Sequence, residues 1–365
     1  MRLGIIGLPQ SGKTTVFNAL TRGNLPVTTS GGRFEVHTAV VDVPDPRLER
    51  LSELFKPEKT IHAKVTYADI AGLEGSAAGK PSAASKASAA VSGPLLNQLT
   101  QMEGLLHVVR CFEDPGVPHL SGSVDPGRDI ADMEAELLLN DLIAVERKIE
   151  RLVEERKKGG GRDKTTIERE LALFERLQAT LSTEVPLRDQ DFTTEEEHIL
   201  AGYGLLTRKP MLIVLNLGEG QEPPPIEYRH KHSDSVALQG KLEMEIAQLP
   251  PEEAPIFLEE YGIAEPGLNR VIRLSYDLLG LLSFFTVSPD EVRAWAVRRG
   301  ATAHEAAGII HTDLQKGFIR AEVIPWDELL ALGGLAEARA RGKLRLEGKD
   351  YVLKDGEMMH VRFNV

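Results

Sequence analysis

Near its start the chain has a short apolar run, Leu3-Gly4-Ile5-Ile6, that leads directly into Gly7-Leu8-Pro9-Gln10-Ser11-Gly12-Lys13-Thr14. This is the Gly-x-x-x-x-Gly-Lys-Thr pattern of a phosphate-binding loop, or P-loop. Apolar residues recur at helical spacing over 15–22, so the pattern lies between a predicted buried strand and a predicted helix, the context that the motif requires. The stretch predicts an α/β fold with a mostly parallel sheet and a site for a phosphorylated ligand.

The residue types of this loop suit a bound triphosphate. Gly7 and Gly12 permit tight turns and place no Cβ between the backbone and an anion. The following amides point at the phosphates from the positive end of the helix dipole. Lys13 is predicted to bridge the β- and γ-phosphates, and the Thr14 hydroxyl to ligate Mg²⁺. The predicted nucleotide-binding residues are Gln10, Ser11, Gly12, Lys13, Thr14 and Thr15, and Lys13 is also a predicted catalytic residue.

A second motif, Asp69-Ile70-Ala71-Gly72, ends a strand predicted at 63–68. An Asp-x-x-Gly sequence in this position accompanies the P-loop: the Asp holds Mg²⁺, usually through water, and the Gly amide senses the γ-phosphate. We therefore predict Asp69 as a metal residue and Gly72 as a phosphate contact. Leu73 follows, where Ras-like GTPases carry a water-orienting Gln, so hydrolysis should use another group or be slow.

Loops of biased composition adjoin these motifs. Residues 23–32 occupy the place of a first switch, where Thr28 or Thr29 would complete the Mg²⁺ shell; plain loop residues are the alternative. The Ala/Ser/Gly tract at 74–93 is predicted as a second switch. His119, in a Pro/Gly-rich loop after the next predicted strand, is a candidate catalytic group or a solvated loop residue.

A further apolar strand, 211–215, leads into Asn216-Leu217-Gly218-Glu219, at the place of the base-reading loop of P-loop GTPases. There the pattern is Asn-Lys-x-Asp, and the Asp accepts protons from guanine N1–H and the 2-amino group. Glu219 is one methylene longer and Leu217 replaces the Lys, so guanine selectivity should be weakened. A backbone carbonyl near Leu217 would suit the 6-amino group of adenine. Asn216, Leu217 and Glu219 are the predicted base-binding residues.

Two long helical patterns, 129–158 and 165–181, are separated by three glycines at 159–161. They predict an antiparallel helical hairpin inserted into the nucleotide domain. Its basic tip, 156–158, is either a solvated face or a contact for RNA or a ribosome. The predicted domains are a P-loop domain at 1–128 and 206–282, the helical insert at 129–205, and a C-terminal domain at 283–365.

The C-terminal domain has the mixed pattern of a β-grasp fold. Its residues predict a strand from 284, an Ala-rich helix at 302–311 and a strand near 319–324. A final hairpin is predicted between 351–353 and 360–363, joined through Asp355-Gly356.

Whole-chain properties narrow the function classes. The net charge of −12 argues against broad binding to DNA, although a local basic face is compatible with RNA. Cys111 is the single cysteine, which excludes an internal disulfide and suits a reducing cytoplasm. No apolar run reaches the ~18 residues of a membrane span, and the P-loop occupies the place of a signal peptide. We expect a cytoplasmic monomer without a membrane partner.

Further stretches join these motifs, namely Val43 to Leu48, His107 to Phe112, Glu265 to Arg273, Glu291 to Trp295, Ile310 to Arg320, Glu347 to Tyr351 and Phe363 to Val365. Together they resemble the YchF subfamily of Obg-related P-loop nucleotidases, the Obg-like ATPases, over nearly the whole chain. The C-terminal set implies a TGS domain, a β-grasp module associated with RNA and ribosome contact.

This resemblance implies slow Mg²⁺-dependent hydrolysis of ATP in preference to GTP, consistent with Glu219 and with Leu73 in place of the catalytic Gln. A His in the loop after the third strand has been proposed to assist hydrolysis in the family, and His119 occupies that place. The resemblance also implies a nucleotide-gated switch that binds the ribosome, on its large subunit, or RNA, through the helical hairpin and the TGS-like domain.

The chain departs from the family pattern at three places. Gln10-Ser11 replaces a usual Asn-Val, whose Asn can help bind a monovalent cation in related nucleotidases, so a potassium requirement stays open. Ser30 to Arg33 and the tract from Ala77 to Ala90 replace the family's switch patterns, which leaves γ-phosphate sensing open. Two alternative functions therefore remain: a GTPase of the Obg type, and a nucleotide-bound adaptor with negligible turnover.

Overall fold

The computed structural model describes residues 1–25, 36–70, 93–119, 121–158, 162–250, 252–260, 263 and 265–364. The chain divides into two compact units, Met1–Ala39 with Thr66–Val271, and Val40–Val65 with Ile272–Val365. Residues 40–65, assigned to the nucleotide domain in the sequence prediction, are thus grouped with C-terminal residues.

The described strands, in chain order, are β1 (Arg2–Ile6), β2 (Val36–Asp42), β3 (Lys59–Ile61), β4 (Lys64–Ile70), β5 (Gly104–Arg110), β6 (Met211–Asn216), β7 (Ser233–Leu238), β8 (Leu281–Val287), β9 (Glu291–Arg298), β10 (Phe318–Pro325), β11 (Arg345–Glu347) and β12 (Glu357–Phe363).

The described helices are α1 (Lys13–Thr21), α2 (Pro46–Phe55), α3 (Gly93–Thr100), α4 (Pro126–Lys158), α5 (Lys164–Ser182), α6 (Thr194–Leu200), α7 (Gly240–Gln248), α8 (Ala254–Glu260), α9 (Gly267–Leu278), α10 (Ala303–Ile310), α11 (Thr312–Lys316), α12 (Trp326–Leu332) and α13 (Leu335–Ala340). A short 3₁₀ helix spans Leu187–Asp189. Among these helices, none is both long and apolar enough to cross a membrane.

The first unit is built on a six-stranded sheet with the order β2-β4-β1-β5-β6-β7. β1 pairs in parallel with β4 and β5, β5 with β6, and β6 with β7. Every residue of β5 and β6 is buried, as expected for central strands of a parallel sheet that is covered on both faces. The mostly parallel sheet predicted from the sequence is confirmed. Parallel strands end at one edge, so the loops after β1, β4, β5 and β6 emerge there together.

Two long helices, α4 and α5, form the predicted helical pair and confirm it. Their apolar stripe is buried in a cluster with Val145, Leu152, Phe174 and Leu177 at its centre. Because these residues recur every three or four positions, each helix buries one face and leaves the other to solvent. The glycines at 159–161, between Lys158 and Arg162, lie outside the described residues.

The second unit has a mixed six-stranded sheet, in the order β11-β10-β12-β8-β9-β3. β3 pairs in parallel with β9, and β12 pairs in parallel with β8 at Met358 and Phe285. β10 pairs antiparallel with β11 and β12, and β8 pairs antiparallel with β9. The apolar face of the sheet packs around α10, whose Ala303, Ala306 and Ala307 are fully buried. Small side chains let this helix lie close to the strands.

Arg47 ties the 40–65 segment into this unit. Asp45 caps α2 by accepting from the Arg47 amide at 3.0 Å, and Pro46 stands at the first helical position, where its fixed φ is favourable. The Arg47 guanidinium donates to Asp45 and, at 2.6 Å, to Asp355. Asp355 in turn accepts from the Ser283 amide at 2.9 Å. The two carboxylates raise the pKa of Arg47 although burial opposes them.

The final predicted hairpin is wrong. Residues 351–353 contribute only an isolated bridge between Thr302 and Val352, while β12 pairs with β10 and β8. The sequence prediction also lacked β9, which forms the true hairpin with β8. The turn at 355–356 instead receives the Arg47 and Ser283 contacts, which hold it against the sheet.

Candidate nucleotide site

The P-loop is closed by two glycines that have no room for a side chain. Gly7 has φ +154°, and a Cβ there would lie 2.4 Å from the Val108 carbonyl oxygen. Gly12 has φ +95°, and a Cβ there would lie 2.1 Å from Nδ2 of Asn216. Gln10, between them, has φ +64°, which is uncommon for a residue with a side chain. The loop therefore depends on glycine both for backbone conformation and for close packing.

Lys13 reaches back over this loop. Its Nζ donates to the carbonyl oxygens of Gly7 at 3.1 Å and Leu8 at 3.0 Å. Helix α1 begins at Lys13 with Gly12 as its N-cap, and no side chain caps its first amides. The ammonium group and the amino end of the helix thus lie in one loop, which suits a polyanion.

The two predicted metal residues meet. The Thr14 hydroxyl donates to Asp69 Oδ2 at 3.0 Å. Asp69 Oδ1 is buried and has no hydrogen-bond partner among the described residues. Burial raises the pKa of Asp69, while the Thr14 hydrogen bond and the Lys13 charge oppose this effect. A buried unpartnered carboxylate oxygen beside a hydroxyl fits Mg²⁺, which takes few protein oxygens and keeps water and phosphate as its other ligands.

Other buried polar atoms surround the loop. Gln10 Oε1 and Ser11 Oγ are buried without a hydrogen-bond partner in the described part of the chain. His107, on β5, is 1% exposed and pairs in register with Ile6 at the end of β1. Burial, and secondly the charge of Lys13, lower the pKa of His107 to about 3. This imidazole is therefore neutral at physiological pH and adds no positive charge beneath the loop.

Asn216 connects three segments of the site. Its Nδ2 donates to the Ser11 carbonyl oxygen at 3.0 Å, and its Oδ1 accepts from the Gly240 amide at 3.0 Å. The side chain is 3% exposed. It joins the P-loop to the segment that follows β7. Both ends of the amide are used in this way, so the base contact predicted for Asn216 stays a prediction.

The rest of the predicted base-reading loop is held by Gln221. The Gln221 side chain accepts from the Gly218 amide at 2.9 Å and donates to the Cys111 carbonyl oxygen at 2.7 Å. Leu217 is buried and its amide donates to Leu238 at 2.8 Å, whereas Glu219 is exposed. The exposed carboxylate is accessible to a ligand, and the buried Leu217 fixes the backbone beside it.

His119 is held away from solvent by its own loop and α4. Its Nε2 lies 2.9 Å from Asp129 Oδ2, and its Nδ1 accepts from the Ser121 amide at 3.1 Å. The His119 and Asp129 side chains are 6% and 3% exposed. Both ring nitrogens are occupied, so the predicted catalytic role of His119 remains a prediction.

Three predicted site residues, Thr28, Thr29 and Gly72, lie outside the described residues, as do Leu73 and most of both predicted switches. Of the others, the structure joins Lys13 to the P-loop carbonyls, Thr14 to Asp69, and Asn216 to Ser11. Within the described part of the chain, the hydrogen bonds and ion pair of His119 go to Asp129 and Ser121 and not to these groups.

Comparison with known proteins bears on the whole chain. The protein named ribosome-binding ATPase YchF from Bacillus subtilis (strain 168) is 39% identical over 378 residues, covering 99% of each chain. The protein of the same name from Escherichia coli O157:H7 is 40% identical over 100% of this chain and 99% of its own. This chain belongs to the YchF family.

Two further comparisons agree with this membership. Residues 281–364 match the family model YchF-GTPase_C, described as a protein of unknown function (DUF933). The structure of the Schizosaccharomyces pombe YchF GTPase is 29% identical, with a TM-score of 0.83 over 99% of this chain and 97% of that chain. Obg-like ATPase 1 of Oryza sativa subsp. japonica is 34% identical over 100% of this chain and 92% of its own. The names of these YchF relatives differ on the nucleotide, ATPase in some and GTPase in another.

Sequence reasoning missed three residues that shape this YchF site. The sequence analysis gave none of them a role in the site. It placed Asp129 at the start of a predicted helix and His107 in a predicted buried strand, and it placed Gln221 in no element. His107 carried one signal, since it and Arg110 are the two polar side chains in the apolar strand before the His119 loop. Asp129 and Gln221 lie 10 and 110 residues from their partners His119 and Cys111, and only the fold brings these pairs together.

We predict that Asn216→Ala disrupts the conformation of the P-loop although it removes no group that is predicted to contact the phosphates. The change leaves the Ser11 carbonyl and the Gly240 amide buried and unpaired, which should cost about 1–3 kcal/mol of stability and weaken nucleotide binding roughly tenfold or more. Fluorescence titration with a labelled ATP analogue and urea unfolding measure the two effects. Asn97→Ala, at an exposed position on α3, is the matched control, and wild-type affinity in Asn216→Ala would contradict the prediction.

Proposed function

We propose that this chain is a Mg²⁺-dependent ATPase that acts as a nucleotide-gated switch on the ribosome or RNA, in the cytoplasm. The observation that supports it most is the 3.0 Å contact between Thr14 and Asp69, with a buried free oxygen on Asp69, beside a P-loop that carries Lys13. Relatives over the full length are named ribosome-binding ATPases. The proposal extends that named activity to this chain.

The residues divide the work of hydrolysis by their chemistry. Lys13 and the first amides of α1 hold the β- and γ-phosphates, and at present the ammonium group has the Gly7 and Leu8 carbonyls as partners. Thr14 and Asp69 would hold Mg²⁺. When bound, this ion neutralises charge on the phosphate oxygens. Because Leu73 cannot orient water, slow intrinsic turnover is expected, with His119 as the candidate for water positioning.

The proposed preference for ATP rests on the base-reading loop. An exposed Glu219 in place of Asp shifts the carboxylate by one methylene from the position that pairs with guanine N1–H and the 2-amino group. Leu217 offers no ammonium group and is buried. Both differences weaken guanine recognition, whereas a backbone carbonyl of this loop can accept from an adenine 6-amino group.

Two basic surfaces support contact with a ribosome or RNA, proposed for the large ribosomal subunit. One is the end of the helical hairpin, where Arg156, Lys157 and Lys158 are exposed. Lys158 pairs with Glu154 at 3.2 Å, but both side chains are largely exposed. Such exposed cations suit phosphate groups, because pairing them releases counterions from the nucleic acid.

The other surface lies on the second unit. Arg320 on β10 pairs in register with Arg362 on β12, and Glu322 lies two residues along on the same face. The Glu322 carboxylate, 7% exposed, accepts from Arg339 at 3.1 Å and from Arg362. Arg339 and Arg362 remain 61% and 53% exposed. Three guanidinium groups share this face with one buried carboxylate, so it carries excess positive charge.

Nucleotide titration tests the proposed substrate. With Mg²⁺ present, ATP should bind at least tenfold more tightly than GTP, about 1.4 kcal/mol, and Glu219→Asp should narrow the difference by improving guanine contacts. Isothermal titration of both nucleotides against the wild type and the variant measures this. Tighter binding of GTP, with little change in Glu219→Asp, would establish the GTPase alternative instead.

Turnover separates an ATPase from a nucleotide-bound adaptor. Multiple-turnover phosphate release, measured with ribosomes present, should be detectable for the wild type and abolished in Lys13→Ala, because the variant loses the cation that stabilises the transferred phosphoryl group. Lys59→Ala is the matched control, since Lys59 is exposed and lies on β3, outside the P-loop and outside both proposed basic surfaces. Wild-type protein that binds ATP without turnover would support the adaptor.

Charge reversal tests the ribosome-contacting face. Arg320→Glu removes an exposed cation that has no ion pair among the described residues, so the fold should be unaffected while ribosome affinity falls about tenfold. Lys59→Glu is the matched control, since Lys59 is exposed on β3 at the opposite edge of the same sheet. Co-sedimentation with ribosomes at two salt concentrations measures both. Equal losses in the two variants would indicate a nonspecific charge effect and contradict a binding face at Arg320.

A further inference from the structure

The surroundings of His119 define which of its nitrogens carries the proton. The Ser121 amide is a donor and points at Nδ1 across 3.1 Å, so Nδ1 must be an acceptor. The proton of the neutral ring is then on Nε2, which donates to Asp129 Oδ2 at 2.9 Å. The neighbours of the ring thus select a single tautomer.

The Asp129 carboxylate is itself held in place. Its Oδ1 accepts two hydrogen bonds from Arg128, from Nε at 3.0 Å and from Nη2 at 2.7 Å. Oδ2 is left for His119. Asp129 also lies in the first turn of α4, where the helix dipole favours a negative charge. A carboxylate fixed by a guanidinium group and a helix end can fix an imidazole in turn.

The pair is attached to the edge of the sheet where the P-loop lies. His119 is in the loop after β5, which pairs with β1 on one side and β6 on the other. Burial, and secondly the negative charge of Asp129, raise the pKa of Cys111 to about 12. Asp129 is thus close enough to affect the thiol of the residue that follows β5. The Cys111 amide in turn donates to the Asn216 carbonyl oxygen at 2.9 Å.

We propose that Asp129 is a positioning residue for hydrolysis, which holds His119 in the Nε2–H tautomer so that Nδ1 is the atom that receives a proton from the attacking water. The inference rests on the proposed ATPase function. A water molecule replaces the Ser121 amide as donor to Nδ1. Its oxygen forms a bond to the γ-phosphorus, the bond to the β,γ-bridging oxygen breaks, and that oxygen leaves with the electron pair on ADP.

In this step the water proton moves to Nδ1 while the Nε2 proton stays between the ring and Asp129. The imidazolium that forms carries a positive charge, and the fixed Asp129 carboxylate stabilises it. Without that charge the ring can rotate and can adopt the other tautomer. Loss of Asp129 should therefore lower kcat and leave the affinity for ATP unchanged, because the carboxylate does not touch the nucleotide.

The decisive variant is Asp129→Asn, which keeps the shape and removes the charge. We expect kcat for ATP to fall about tenfold or more, within the range of proton-transfer catalysis, with the Kd for ATP within about twofold of the wild type. Asp129→Glu should restore part of the activity. In a His119→Ala background, Asp129→Asn should have no further effect on kcat, because the two residues act through one another. Asp125→Asn is the matched control, since the exposed Asp125 side chain accepts from the Arg128 amide at 3.1 Å and has no other hydrogen bond within the described part of the chain.

Nitrogen NMR of histidine-labelled protein gives a readout that does not depend on activity. Wild-type His119 should show the Nε2–H tautomer, and Asp129→Asn should show a mixture. A wild-type kcat in Asp129→Asn or in His119→Ala would overturn the positioning role, and so would an Nδ1–H tautomer in the wild type. A fall in kcat for Asp129→Asn that is accompanied by weaker ATP binding and a lower melting temperature would indicate a structural role instead and would also overturn it. Absence of ATP turnover in the wild type would instead overturn the proposed function, so the two failures are distinguishable.

Discussion

A buried amide at the carboxyl edge of the parallel sheet connects the parts of the nucleotide site. Asn216 donates to the P-loop through the Ser11 carbonyl and accepts from the Gly240 amide, both at 3.0 Å. The packing is so close that Gly12 has no space for a Cβ. Because two loops share one side chain, the conformation of the phosphate loop and that of the segment after β7 are set together. The P-loop is thus held by the fold as well as by its own glycines.

Lys13 supplies a positive charge in the P-loop that Asn216 holds in place. His107 lies buried beneath the loop, and its low pKa keeps it neutral. Asp69 is a buried carboxylate whose pKa is raised by burial and which has Thr14 as its partner. Burying an anion with one free oxygen is costly unless a cation compensates it. A divalent cation would supply the positive charge that the Asp69 carboxylate lacks, so its binding would offset the cost of desolvating Asp69. A triphosphate would in turn supply the negative charge that pairs with Lys13.

The sequence predicted those parts of the fold that local patterns encode. The P-loop, its flanking strand and helix, and the two long helices have periodicity or motifs within short windows, and the structure contains them at nearly the predicted bounds. β3 could not be predicted in the same way, since it has three residues and pairs with β9 more than 200 residues away. The 351–353 segment has residues typical of a strand, but in the fold it forms only an isolated β-bridge, between Val352 and Thr302. At the site, residue types gave Lys13, Thr14 and Asp69. The partners of His119 depend on how one loop folds back on α4, and no spacing rule contains that information.

The grouping of residues 40–65 with the C-terminal unit has a practical consequence for dissecting the protein. The family model matches 281–364, yet that stretch shares its sheet with β3 and its turn at Asp355 with Arg47. A fragment excised at the family boundary would expose the edge of β9 and leave Asp355 without its guanidinium partner. Such an excised piece should be prone to self-association through the bare strand. Supplying residues 40–65 in trans as a peptide, or fusing them through a linker, would restore the missing strand and give a soluble module.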